Sequence, residues 1–189
     1  MTAIALAVRA KTALPVGINV LRNDGRSALA VAHAAGADFV RVNVLSHARV
    51  TDQGVIEAIA HELLRERAGL RTESIRICAD VNVKESTPLG HGLPIDDEVA
   101  DTIHRGLADA IIVSGANTGS GAEVTELERA YAAAGVTPVL VGSGITADNV
   151  ATYRAFADGF IVGTSLKIGG VASNPVDVAR VKALMARVR

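Results

Sequence analysis

The 189-residue chain has no tryptophan, two tyrosines and three phenylalanines, so aromatics make up only 3% while hydrophobic residues reach 49%. Its core must therefore be aliphatic and rich in alanine, which suits many close helix–strand contacts. A single cysteine, Cys78, excludes an internal disulfide and makes the reducing cytoplasm the expected location. Charge of either sign is never concentrated: 19 Lys and Arg stand against 20 Asp and Glu, a formal net charge of -1. Without a dense basic block, nucleic acid and anionic membrane are excluded as main partners. The apolar runs are too short to span a bilayer, and the start, MTAIALAVRAKTALPV, lacks the charged region that precedes the apolar part of a signal peptide.

What the chain does have is strict alternation. Runs rich in Val and Ile at Pro15–Val20, Asp38–Val44, Ile75–Val81, Asp109–Ser114, Pro138–Gly142 and Asp158–Gly163 read as six strands. Between them lie helical segments with start signals at Asp24, Asp52, Asp96, Thr146 and Asn174-Pro175, and AEVTELERAYAAAG fills the remaining gap and stops at Gly135. Strands joined by helices imply parallel pairing and an α/β architecture, here one domain over residues 1–189.

Side-chain alternation decides between an open and a closed sheet. In DFVRVNV, Val40, Val42 and Val44 point one way while Phe39, Arg41 and Asn43 point the other. Gly17 and Asn19 repeat the pattern opposite Val16, Ile18 and Val20, as do Cys78 and Asp80 opposite Ile77, Ala79 and Val81. A doubly wound sheet prefers apolar residues on both faces, whereas a barrel accepts polar side chains near its C-terminal mouth. The expected fold is a (β/α) barrel of the TIM type.

Two of these strands end in residues that offer almost no side chain. VGSGIT supplies Gly142, Ser143 and Gly144, and IVGTSLK supplies Gly163, Thr164 and Ser165. Each turn alone reads equally as a tight turn. On consecutive strands of a barrel they predict a phosphate cradle, because glycine lets backbone N–H groups approach an anion and the hydroxyls add donors. A dinucleotide fingerprint is absent, since SGANTGSGAE has the wrong spacing.

The motifs GINVLRND, GADFVRVNV, ADVNVK, VLVGSGIT and DGFIVGTSLK, in this order, resemble the BtpA/SgcQ family, within the ribulose-phosphate-binding type of barrel. The resemblance runs from Val16 onward. It implies a TIM-barrel fold and a phosphorylated small-molecule ligand, with one branch named for photosystem I biogenesis and another linked to sugar or nucleoside metabolism. Members carry His after the Lys of the ADVxVK run, where this chain has Glu85. They also begin with a stretch supplying two further strands, so the resemblance implies an incomplete barrel of six strands. Its first and last strands would be open edges available for homo-oligomerisation. The segment Thr2–Thr12 is expected to be a helix that packs its Ile4/Val8 face on the shell.

The polar residues at the strand ends are the candidates for chemistry. Asp80 and Lys84, with Asn82 on the same face by alternation, would act as general base and as electrostatic or Schiff-base group, or form a structural ion pair. Arg41 and Asn43 join them as candidate catalytic residues, Arg41 either touching substrate or bridging to Asp80. Asn19, Arg22, Asn23, Ser114 and Thr118 are candidate substrate contacts. The five histidines show no metal-ligand spacing, and His91 lies on the longest loop of the rim, where it is either solvated or part of a closing lid. No cofactor is implied, although Asp80 leaves Mg²⁺ open through one carboxylate. Two functions follow: an enzyme using acid/base or lyase chemistry on a sugar-phosphate-like or nucleoside-like molecule, or a non-catalytic assembly or biogenesis factor on the same barrel.

Overall fold

The computed structural model describes residues 1–115 and 121–188. In chain order these residues form α1 (Thr2–Arg9), β1 (Gly17–Ile18), α2 (Gly25–Ala35), β2 (Phe39–Val42), β3 (Arg49–Thr51), β4 (Gly54–Ile56), α3 (Ala60–Gly69), β5 (Arg76–Val81), β6 (Ser86–Pro88), α4 (Ile95–His104), β7 (Ala110–Ser114), α5 (Val124–Ala134), β8 (Val139–Gly142), α6 (Val150–Tyr153), β9 (Gly159–Ile161) and α7 (Val178–Val188).

Local chemistry explains the better-formed helices. Asp24 caps α2 by accepting from the Ser27 N–H at 2.9 Å, a cap worth about 1 kcal/mol. Gly36 ends the same helix at φ 63, where a side chain would be strained. The buried face of α2 is Ala28, Leu29, Ala32 and Ala35, and its small residues let the helix lie close to the sheet.

Six strands pair in parallel in the order β1-β2-β5-β7-β8-β9, a half-barrel. Registered partners share a face, so the inner face carries Arg41, Cys78 and Ala110 in one row and Asp80, Ile112, Leu140 and Gly159 in the next. Ser114, Gly142 and Ile161 form the top row. Outer-facing Val40, Val42, Ile77, Ala79, Val81, Ile111, Val113, Val139 and Val141 are fully buried under the helices. Aliphatic burial on this face is the main force holding sheet to helices. Among the described residues β1 and β9 do not pair with each other, as expected. Both edges are short, two and three residues, which blunts them as templates for another chain.

Three expectations need correction. The helix expected from Asp52 begins only at Ala60, because RVTDQGVI folds as the β3–β4 hairpin, with Gly54 at φ 97 in its turn. Strand β6, in the expected long loop, pairs with β3, so a three-stranded antiparallel sheet sits on the C-terminal rim. The helix expected from Thr146 starts at Val150: Thr146 and Asn149 bond each other's backbone N–H groups and close a turn first.

Helix α1 also packs differently. Ala5 is its buried residue, while Ile4 is 71% and Val8 46% exposed. Arg9 sets this rotation, donating to the Gly36 carbonyl at 2.8 Å and to the Asp38 carboxylate. Asp38 also accepts from the Val16 N–H at 2.7 Å, and these bonds hold its carboxyl below the usual carboxylate range. Among the described residues no helix is long and apolar enough to cross a membrane.

Candidate functional site

The turns after β8 and β9 meet at the C-terminal rim. Ser143 and Gly144 take φ 66 and φ 64 in succession, which swings the chain back sharply. Asn149 braces this turn, donating to the Gly144 carbonyl and accepting from the Thr146 N–H, each at 2.8 Å. The second turn is tied to the first by the Ser165 hydroxyl, which donates to the Ile145 carbonyl at 2.5 Å. The two glycine turns are thus one unit.

A cavity of about 410 Å³ opens against that unit. Ser143, Gly144, Ile145 and Thr146 line it from the first turn, and Gly163, Thr164 and Ser165 from the second. Ile161 forms its floor, and Arg41, Lys84 and Arg180 bring three cationic side chains to its wall. Five of the six residues expected in the cradle therefore come together. Gly142 does not line the cavity: a Cβ there would sit 3.0 Å from the Ser114 Oγ, so the glycine makes room for Ser114. The Ser165 hydroxyl spends its hydrogen on Ile145, which leaves Ser143, Thr146 and Thr164 as the hydroxyl donors of the wall.

Behind Arg41 lies a buried polar network. Asp80, its side chain only 2% exposed, accepts from Arg41 Nε at 2.8 Å, from Arg41 Nη2 at 2.9 Å and from Asn43 Nδ2 at 2.8 Å. Asn19 donates to the Arg41 carbonyl at 2.9 Å. The bidentate pair fixes the guanidinium plane, so Asp80 aims Arg41 and does not itself reach the cavity. The expected bridge from Arg41 to Asp80 is formed, and both carboxylate oxygens accept hydrogen bonds within this network. Among the described residues no three His, Cys, Asp or Glu side chains are grouped to hold a metal ion.

Other candidates lie elsewhere. Asn82 has φ 45 and leaves the inner face, its amide donating to Glu126 Oε1 at 2.8 Å, because the strand alternation stops at Val81. Arg22 pairs with Asp52 at 3.1 Å. Asn23 brackets the end of β2, donating to the Val44 carbonyl at 2.9 Å and accepting from its N–H at 2.7 Å. Ser114 is 3% exposed on the inner face, with no partner for its hydroxyl among the described residues. His91 is exposed and away from the cavity. Thr118 lies outside the described residues.

Sequence reasoning missed Arg180. It donates to the Ser165 carbonyl at 3.1 Å and stands in the first turn of α7. A cation there opposes the helix dipole, and its Nε lies 3.9 Å from the Asp177 carboxylate, which offsets part of that cost.

Cys78 faces the half-barrel interior, 7% exposed, and burial, with the Asp109 and Asp80 charges adding and Arg41 opposing, pushes its thiol up to about 11. Iodoacetamide at pH 8 should leave it unmodified in the folded protein and react on unfolding, read by intact mass. Because the folded thiol stays protonated where an unfolded one ionises, the stability it contributes is lost as pH rises from about 9 towards 11.

The photosystem I biogenesis protein BtpA of Synechocystis is 51% identical over 171 residues, covering 90% of this chain and 59% of that protein. An uncharacterised protein of Thermococcus kodakarensis is 46% identical over 185 residues, covering 98% of this chain and 69% of the relative. Among solved structures, N-(5'-phosphoribosyl)anthranilate isomerase from Pyrococcus furiosus superposes with a TM-score of 0.65 at 13% identity, covering all of this chain and 80% of that one. KGPDC from Streptococcus mutans gives 0.65 at 12% identity, covering 99% and 78%. These two establish the TIM-barrel type of fold alone. A family model of BtpA matches residues 1–189, and together with the close relatives this places the chain in the BtpA family.

Proposed function

We propose that the chain binds a phosphorylated small molecule, sugar-phosphate-like or nucleoside-like, at the rim cavity. The phosphate would lie on the Ser143–Thr146 and Gly163–Ser165 turns beside Arg180, and the remainder of the molecule would extend towards Arg41 and Lys84. The observation that carries this reading is the convergence of two hydrogen-bonded glycine turns and three cationic side chains on one cavity. A guanidinium suits a phosphate because its fork matches two oxygens at once. In an enzyme, Lys84 is the cavity residue suited to acid/base or Schiff-base chemistry.

A second reading, a non-catalytic assembly factor, draws support from the name of the Synechocystis relative and from the complete engagement of Asp80. Thermal shift separates the two. Ribose 5-phosphate at 100 times its dissociation constant should add about 2.7 kcal/mol of stability, and ribose should add none. Equal responses to the two sugars, or no response up to 10 mM ribose 5-phosphate, would overturn the phosphate reading and leave the assembly factor.

A further inference from the structure

We propose that Arg49, outside the cavity, is the positioning residue that sets where Lys84 stands within it; this rests on the cavity being the binding site. Arg49 belongs to β3 in the rim sheet and is 2% exposed. Its guanidinium donates through Nε to Ser86 Oγ at 2.8 Å, through Nη2 to Asn82 Oδ1 at 3.3 Å and through Nη1 to Glu98 Oε1 at 3.3 Å. The same Glu98 oxygen accepts from the Asn82 N–H at 3.0 Å. One buried fork therefore grips both ends of the loop 82–86, and Lys84, at its midpoint, is the loop residue that lines the cavity.

The loop needs holding. Asn82 and Glu85 sit at φ 45 and φ 52 on either side of Lys84, left-handed backbone that side chains rarely adopt unless the surroundings impose it. Arg49 supplies that imposition through a planar fork, a geometry that lysine cannot reproduce even though its charge would still answer Glu98. Arg49→Lys thus removes the grip with the least disturbance of the buried charge pair.

The test is a double-mutant cycle on the full chain, with ribose 5-phosphate as probe and calorimetry as readout. Arg49→Lys and Lys84→Met should each weaken binding about tenfold, and the double variant should be no weaker than Lys84→Met alone. With Arg180→Met as the background instead, Arg49→Lys should cost its full tenfold. Full additivity with Lys84→Met would overturn the proposal, since Arg49 would then act on the fold at large. A second measurement needs no ligand: after reductive methylation with ¹³C, the Lys84 resonance should differ from that of exposed Lys11 and move towards it in both Arg49→Lys and Ser86→Ala. An unmoved resonance in both variants overturns the proposal. A moved resonance in a protein that binds no ribose 5-phosphate sinks the binding reading and leaves Arg49 as the residue that places Lys84.

Discussion

Replacing Asp80 with alanine is expected to lower the unfolding free energy by about 3–5 kcal/mol, the cost of leaving one member of a buried ion pair without the other. Arg41 has a side chain only 21% exposed and would lose both hydrogen bonds of its fork, while the Asn43 amide would lose its acceptor. Urea denaturation of wild type and variant gives the difference directly. Asp80→Asn retains the shape and one acceptor oxygen, so its loss should be clearly smaller. A change below 1 kcal/mol in Asp80→Ala would mean that water satisfies Arg41, and the account of Asp80 as the residue that aims it would fall.

The second large effect is on binding. Gly144→Val should reduce affinity for ribose 5-phosphate more than a hundredfold, which corresponds to about 2.7 kcal/mol. Gly144 sits at φ 64 directly after Ser143 at φ 66. A β-branched residue is strained in that region, and relaxation would turn the peptide groups of the cradle away from the cavity. Titration calorimetry on a variant whose far-ultraviolet circular dichroism is unchanged reads this effect. Binding within threefold of wild type would remove the glycine turn from the site. Arg180→Met, which leaves the backbone alone, should weaken binding about tenfold and flatten its salt dependence, since one fewer cation then faces the anion.

Much of the half-barrel is visible in the order of residues because its strands face two environments at once. Val40, Val42, Ile77, Ala79, Ile111 and Val113 alternate with Arg41, Cys78, Asp80 and Ser114, and the alternation alone assigns one face to helices and the other to the interior. The glycine turns are visible for a related reason, since Gly144 occupies a conformation that favours glycine. The rim sheet is hidden because its signal is non-local: residues 49–51 pair with 86–88, strands of three residues whose pattern is too short to register. Arg49 and Glu98 are 49 positions apart, and nothing near either announces the other. Asn82 illustrates a different limit. Extrapolating strand alternation one residue past Val81 places its side chain on the wrong face, because the backbone turns at φ 45 to follow its hydrogen bonds.

The strand order carries a further consequence. Each strand of the six-stranded sheet lies beside the next sheet strand along the chain, so the sheet is a row in which no member depends on more than two others. Rows of this kind lose order from their ends, as linear arrays of coupled units do. The end units here are the smallest, β1 with two residues and β9 with three, whereas β5 and β7, which bear Asp80 and Ser114, stand in the middle. Asp80 therefore stands on one of the last strands to open, its partners Arg41 and Asn19 lie on β2 and just after β1, nearer one end, and the turn bearing Gly163 and Thr164 follows the strand at the other end. An anion spanning both glycine turns would fasten that loose end to β8, so occupancy of the cavity and cohesion of the row would rise together.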